Sequence, residues 1–199
     1  MTKRSALLDR LPQHEAFTTA QAADLGIDSR SLYRLRDAGS IERIGWGLYI
    51  AGDAPEANID YLEAASKAPM ATICLSSALA HHGLIDEIPS TTDLALPRGK
   101  TPPHLSAATT WHIFDKATFD IGRSTIPIEG SNLEIGIYSP ERSIIDAFRL
   151  RGRTGYETAT EALRNWLGSR GSQPAKLMQI ASAVPRARGP LRQALEILL

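Results

Sequence analysis

The sequence predicts an α+β protein in two parts, a small helical region closed by a hairpin and a larger mixed α/β domain. Three observations predict it. The first 52 residues alternate short segments of helical apolar spacing with Gly, Pro, Ser and Asp punctuation. Four segments of strand character follow between residues 92 and 138. From Ser139 onward the apolar spacing is helical again.

Composition bounds the answer before any motif does. At 199 residues and 43% hydrophobic, the chain has enough apolar surface for a sizeable core, at roughly 100–200 residues per domain. No apolar run approaches the roughly 18 residues that span a bilayer, and MTKRSALLDRLPQHE lacks the apolar stretch of a signal peptide, so a cytoplasmic protein without membrane contact is expected. The single cysteine, Cys74, excludes an intrachain disulfide and a cysteine-rich zinc cluster. The 22 Lys+Arg balance the 22 Asp+Glu, yet the balance is uneven along the chain. Residues 1–52 hold seven basic and six acidic side chains, 53–150 hold seven and thirteen, and 151–199 hold eight and three. Neutral-to-basic ends around an acidic middle leave room for a local phosphate-facing surface.

The first elements follow from their stop and start signals. Ser5-Ala6-Leu7-Leu8-Asp9-Arg10-Leu11 reads as a short helix that Pro12 stops. Thr18 or Thr19 caps a second helix over Ala20-Gln21-Ala22-Ala23-Asp24-Leu25, ended by Gly26. Asp28 or Ser29 caps a third, running from Arg30 to Ala38 with Gly39 as its C-cap. Ile41-Glu42-Arg43-Ile44 and Leu48-Tyr49-Ile50 alternate as strands around the turn Gly45-Trp46-Gly47.

Helix, helix, tight turn, helix and hairpin is the order of a winged helix-turn-helix, whose third helix stands proud enough to enter a major groove. At about 100° per residue, Leu32 and Leu35 face inward while Arg30, Tyr33, Arg34 and Asp37 cluster outward. Arg bonds two acceptors on guanine or a phosphate, and Tyr bonds a phosphate. The candidate DNA-binding residues are therefore Arg30, Ser31, Tyr33 and Arg34 on the helix, with Arg43 and Trp46 on the wing. Each also has a bland reading: a charged helix face is commonly a wet surface, and the Trp46 indole either folds under the hairpin or stands at the wing tip.

Ala51-Gly52-Asp53-Ala54-Pro55-Glu56 reads as a linker, which sets the expected domains at 1–53 and 54–199. Residues 58–67 follow as an amphipathic helix, then a short apolar piece, Ala71-Thr72-Ile73-Cys74-Leu75, and a Ser-capped helix through His82 closed by Gly83. Strands are expected at 92–96, 110–114, 125–128 and 133–138. Ser139-Pro140-Glu141 is a helix start, with Ile144, Ile145 and Phe148 on its buried face. Helices at about 155–167, 174–183 and 190–199 complete the chain.

Catalytic signatures are missing: there is no Gly-rich phosphate loop, no G-x-S-x-G elbow and no H-E-x-x-H helix. His81-His82 point about 100° apart on a helix and do not share a metal easily. Asp93, Glu134 and Lys100 match no tight nuclease spacing and read as strand-edge and loop residues. The expectation is a protein that is not an enzyme and has no catalytic residue, metal or cofactor. Arg151, Arg153, Arg164, Arg170, Lys176, Arg186, Arg188 and Arg192 either extend a phosphate-facing surface or meet an acidic partner, unless they are plain solvated charge.

The combined motifs resemble the AbiEi-type antitoxins of type IV toxin–antitoxin systems, transcriptional regulators of bacterial abortive infection. The resemblance rests on Phe17-Thr18-Thr19-Ala20-Gln21-Ala22-Ala23-Asp24-Leu25-Gly26, Leu32-Tyr33-Arg34-Leu35 and the hairpin through Gly45-Trp46-Gly47. It continues in Ser76-Ser77-Ala78-Leu79-Ala80-His81-His82-Gly83 and Ser139-Pro140-Glu141-Arg142-Ser143. It implies a repressor that binds inverted repeats of double-stranded DNA in its own promoter, as a dimer or cooperatively. It further implies a counterweight to a nucleotidyltransferase-type toxin encoded nearby. Arg30, Tyr33, Arg34 and Arg43 are the positions the resemblance carries over. The competing reading is a protein-interaction module without specific DNA binding, whose winged helix has lost its DNA role and whose acidic middle contacts a basic partner toxin.

Overall fold

A computed structural model of the chain describes residues 3–13, 15–51 and 58–199. These fall into two compact units. One holds the residues up to Pro69 with Pro103–Ser106 and Ile126–Ile135; the other holds Met70–Pro102, Ala107–Thr125 and Gly136–Leu199. The linker expected around residue 54 lies outside the described residues. The protein is α+β, and no helix among the described residues is long and apolar enough to cross a membrane.

The first unit contains α1 (Lys3–Leu8), β1 (Ala16–Thr18), α2 (Thr19–Asp24), α3 (Ser29–Asp37), β2 (Glu42–Gly45), β3 (Leu48–Ile50) and α4 (Ile59–Lys67). Strand β3 lies between β1 and β2, antiparallel to both, with Tyr49 opposite Phe17 on one side and Arg43 on the other. Two helices joined by a tight turn and closed by a sheet give the winged helix-turn-helix layout that the element order predicts. Strand β1 is not among the predicted strands. Its three residues are all buried, so the period-two alternation that marks a strand has no length in which to appear.

Leu32 and Leu35 of α3 pack with Phe17, Ala22, Ile27, Ile41 and Tyr49 in one core, where the Phe17 and Tyr49 rings stack with centroids 6.0 Å apart. Of the two candidates for the α3 cap, Asp28 fills the position, its carboxylate accepting from the Ser31 N–H at 2.8 Å. In α4 the buried Glu63 carboxylate accepts from Lys67 Nζ at 2.7 Å and from the Ser106 N–H and hydroxyl at 2.8 and 3.1 Å. Burial works to raise its pKa, but these hydrogen bonds outweigh burial and hold it below the ordinary carboxylate value.

The second unit is built on β4 (Thr72–Ile73), α5 (Leu75–His81), β5 (Thr92–Pro97), β6 (Thr109–Phe114), α6 (Lys116–Phe119), residues 123–125 of β7 (Arg123–Pro127) and residues 136–138 of β8 (Glu134–Tyr138). It continues in α7 (Pro140–Arg149), α8 (Arg151–Thr154), α9 (Tyr156–Gly168), α10 (Pro174–Ala183) and α11 (Arg188–Leu198). The sheet order is β6-β5-β4-β8-β7, with β4 antiparallel to β5 and parallel to β8, and β5 parallel to β6. It has five strands where the sequence predicts about four, because the short apolar piece after residue 70 supplies the central strand. Thr72 and Ile73 are fully buried, as a strand covered on both faces requires. Two four-residue helices, α6 and α8, are too short to show a helical period and are likewise not predicted.

The serine cap expected for α5 is corrected by the structure. The helix starts at Leu75 behind Cys74, which makes no side-chain cap bond. Ser77 lies inside it and accepts instead from the Asp93 N–H of β5 at 2.8 Å, satisfying a half-buried strand donor. The caps of α7 hold as expected: Ser139 accepts from the Arg142 N–H, Pro140 opens the helix, and Ile144, Ile145 and Phe148 are buried. They join Leu79, Leu163, Trp166, Leu177, Leu191 and Leu195 in one helical core.

A buried cation organises the rest of this unit. Arg142 has no exposed surface; its Nε donates to Asp146 at 2.9 Å and its Nη1 to the Thr118 and Ile121 carbonyls at 2.6 and 2.7 Å. The guanidinium also lies 4.5 Å from the centre of the Tyr138 ring. Asp146 accepts further from Arg149 at 2.8 and 3.0 Å. Gly122 makes the close approach possible, since its φ is +70° and a Cβ there would stand 2.8 Å from the Cβ of Arg142.

Replacing Asp146 with Ala is expected to destabilise the protein by about 3–5 kcal/mol, because a buried guanidinium loses its counter-charge. Urea denaturation measures it. A double Arg142→Met, Asp146→Leu variant, which removes the buried charge altogether, is expected to recover much of that loss.

Candidate nucleic-acid interface

The outward face of α3 is held by what lies beneath and before it. Leu32 and Leu35 anchor the helix, and the turn at residues 25–28 is closed by Gly26 N–H to Ala23 O and Ile27 N–H to Ala22 O, both 2.8 Å. Ile27, 1% exposed, plugs the turn from inside. What remains outside is Arg30, Tyr33, Arg34 and Asp37, all exposed, while Ser31 is half-buried beside the Asp28 cap.

Charge on this face is partly committed. Arg36 donates to the Asp37 carboxylate from Nε at 3.0 Å and from Nη2 at 2.7 Å, and its guanidinium lies 5.1 Å from the Tyr33 ring centre. The Asp28 carboxyl is held below its ordinary pKa by the side-chain and backbone hydrogen bonds of Ser31, with smaller help from Arg34 and Arg30 against the cost of burial. A lowered carboxyl pKa means that this cap stabilises the fold at neutral pH and is lost as the pH falls through the lowered value. Neither Arg30 nor Arg34 forms an ion pair among the described residues.

The wing is pinned to α2. Its turn residue Gly47 has φ +70°, which favours glycine, and the Gly47 carbonyl accepts from the Thr19 N–H at 2.9 Å and from the Thr19 hydroxyl at 3.3 Å. Trp46 is 71% exposed, which selects the wing-tip reading over the buried one. Arg43 donates from Nε to the Gly45 carbonyl at 2.9 Å and stacks its guanidinium 5.1 Å from the Trp46 ring centre. Three cations, Arg30, Arg34 and Arg43, and two aromatic side chains, Tyr33 and Trp46, are thus displayed on α3, β2 and the wing turn of the same unit.

The remaining sequence candidates fall elsewhere. His82 Nε2 lies 2.7 Å from the Tyr138 carbonyl, and the His81 pKa is lowered by burial and by its neighbour His82. Asp93 is within 2.8 Å of His112 Nε2, a pairing that sequence reading missed, although His112 and Phe114 alternate inward along β6. Lys100 is exposed in the turn after β5, and Glu134 is exposed at the start of β8. Among the described residues no group of three or more His, Cys, Asp or Glu side chains is arranged to hold a metal. Arg151, Arg153, Arg164, Arg170, Lys176, Arg186, Arg188 and Arg192 are exposed and spread over α8 to α11 and their connections.

Residues 5–51 match the family of transcriptional regulators described as AbiEi antitoxins. The chain is similar in fold to the RV2827C protein of Mycobacterium tuberculosis, known from its crystal structure, with a TM-score of 0.59 and 17% identity. That likeness covers 97% of this chain and 74% of the other. No curated protein matches.

Replacing Trp46 with Phe is expected to change stability by no more than about 0.5 kcal/mol, as for surface positions generally. The same variant is expected to remove the most water-accessible tryptophan emission. Acrylamide quenching alongside thermal unfolding checks both.

Proposed function

We propose that the chain is a DNA-binding transcriptional repressor and antitoxin. It binds inverted repeats in its own promoter through α3 and the wing, and it counteracts a nucleotidyltransferase-type toxin encoded nearby. Residues 1–53 serve DNA binding and 54–199 the antitoxin role, in the cytoplasm and without a catalytic step. The observation that carries the reading is the uncommitted Arg30–Arg34 pair on the outward face of a buried-anchored helix, within the segment that matches regulators.

The chemistry follows from the side chains. Arg30 and Arg34 present planar forks that match the O6 and N7 acceptors of guanine or a phosphate. Tyr33 offers a hydroxyl donor to a phosphate, and Ser31 a further donor near the helix start. Arg43, levelled against Trp46, meets the backbone beside the groove. One such module neutralises few phosphates, and salt erodes each contact, so paired half-sites are needed for tight binding, occupied by a dimer or cooperatively.

A gel shift on the chain's own upstream DNA, against scrambled competitor at two salt concentrations, tests the reading. Specific binding is expected, with Arg34→Ala weakening it by about 1–3 kcal/mol if the side chain reads a base. The Arg30→Ala, Arg34→Ala double variant is expected to lose specificity and flatten the salt dependence. Unchanged affinity in that double variant overturns the assignment of α3. Retained toxin neutralisation by that variant in a co-expression assay would separate the antitoxin role from DNA binding.

A further inference from the structure

The larger sheet ends on β6, and that edge differs in kind from the other sheet edges among the described residues. At the far side of the same sheet, β7 carries Arg123 and closes on Pro127. In the smaller sheet, β2 exposes Glu42 and Arg43, while β1 is three residues long and bridges to Ser131. Charge, proline, shortness and cover are the devices that keep a sheet edge from pairing with another chain. β6 has no charge or proline in its six residues, Thr109-Thr110-Trp111-His112-Ile113-Phe114. Strand-favouring residues without Lys, Glu, Pro or Gly mark a segment that pairs when its edge is left open.

The hydrogen bonds to β5 show which groups are open. Thr92 N–H donates to the Ala108 carbonyl at 3.0 Å and Arg98 N–H to the Phe114 carbonyl at 2.7 Å, with Thr92 level with Thr109 and Leu94 with Trp111. Successive residues of a strand turn their backbone groups to opposite sides. Thr110, His112 and Phe114 therefore face β5. The N–H and C=O of Thr109, Trp111 and Ile113 face outward, where no strand among the described residues takes them up. The same three side chains share one face of the sheet. Thr109 and Trp111 are half-buried there, and Ile113 is 44% exposed.

Charge and symmetry select the occupant. An antiparallel copy of β6, laid about a two-fold axis at Trp111, sets Thr109 opposite the partner's Ile113 and each outward donor opposite an acceptor. Asp115 then stands level with the partner's Ala107 and Lys116 with the partner's Ser106, so no like charges oppose each other. An uncharged, self-complementary edge fits a second copy of itself, whereas a charged edge would select a strand of opposite charge.

We propose that two copies of the chain pair through β6, antiparallel, and join their five-stranded sheets into one continuous sheet. The proposal does not rest on the DNA-binding reading, because the pairing groups lie in the other unit and the association needs no DNA. It supplies the two-fold symmetry that paired half-sites mirror.

Sedimentation velocity of the full chain without DNA, across the micromolar range, is the test. A species of twice the 21.6 kDa chain mass is expected, with deuterium uptake over residues 109–114 falling as concentration rises. Two variants separate pairing from folding, since both change the same two positions. Thr109→Lys, Ile113→Lys sets lysine opposite lysine twice and is expected to weaken the dimer about tenfold or more. Thr109→Glu, Ile113→Lys sets glutamate opposite lysine twice and is expected to keep the dimer at low salt and weaken it at high salt. A parent that stays monomeric throughout, or a dimer whose uptake over 109–114 ignores concentration, overturns the proposal. So does a dimer equally strong in the Lys/Lys variant, or lost equally in both variants.

Discussion

Thr18 ends a strand and caps a helix at once, and the geometry of the winged unit descends from that double duty. Its backbone pairs with Leu48 in the sheet while its side chain accepts from the Gln21 N–H at 3.1 Å. The Gln21 side chain returns the bond to the Thr18 N–H at 2.7 Å, closing a reciprocal capping box. Thr19, the next residue, donates its N–H to Gly47 in the wing turn. Strand, helix start and wing are thereby joined over two consecutive residues, and α3 inherits its orientation from them through the plugged turn at Ile27. Ala16 extends the same strand by donating to the Gly130 carbonyl at 2.7 Å, so a distant stretch of chain secures the strand end. A helix presented for recognition needs this kind of support, because a contact surface carried on a loose element spends its binding energy on ordering.

The second unit solves a different problem, that of keeping a charge inside. Burying a guanidinium costs several kcal/mol unless its donors are met and a counter-charge sits beside it. Arg142 offsets much of the cost with a carboxylate on Nε, two backbone carbonyls on Nη1 and the face of Tyr138, while its buried Nη2 has no hydrogen-bond partner among the described residues; Tyr138 in turn donates its hydroxyl to the Phe119 carbonyl at 2.8 Å. Burial pushes the Tyr138 phenol well above its ordinary pKa, so that hydroxyl stays a donor throughout the physiological range. The polar centre ties α7 to the segment after α6 directionally, where apolar packing alone would leave neighbouring registers close in energy.

Legibility in the sequence tracked the length over which a pattern repeats. The α7 signals, Ser139, Pro140, Glu141 and the Ile144–Ile145–Phe148 face, are all local to one helix and are read directly. The face of α3 is equally local, and the exposure of Arg30, Tyr33 and Arg34 follows from the burial of Leu32 and Leu35. Strands β1 and β4 escape because two or three residues hold no period, and what makes them strands is a partner far along the chain. The Ser77 role escapes for a related reason. Serine near a helix start looks like a cap, and only the donor offered by Asp93, sixteen positions later, decides otherwise. Trp46 was undecidable from local pattern, since an indole beside a hairpin turn suits either side of it. The Arg36–Asp37 pair was within reach of inspection, but whether neighbouring opposite charges close on each other depends on rotamers that sequence does not state.

That last pair bears on how a chain with no net charge presents a phosphate-facing surface. Solvent and salt confine the field of an exposed charge to about 8 Å at physiological ionic strength, so the total over 199 residues has little meaning for any one face. What matters is which charges near α3 are already engaged. Asp28 is engaged by its own helix start, and Asp37 by Arg36. Both carboxylates remain negative, but each has its nearest field opposed, one by backbone donors and one by a guanidinium. Arg30 and Arg34 have no such ion-pair partner among the described residues, and Arg43 is braced through a carbonyl and an aromatic ring, neither of which neutralises it. Arg30 and Arg34 are therefore the charges on the outward face of α3 that no ion pair within the described residues engages, although the segment as a whole is nearly neutral. Asp28 serves as a cap and Asp37 as a clamp on Arg36, which leaves Arg30 and Arg34 on the outward face for an outside ligand.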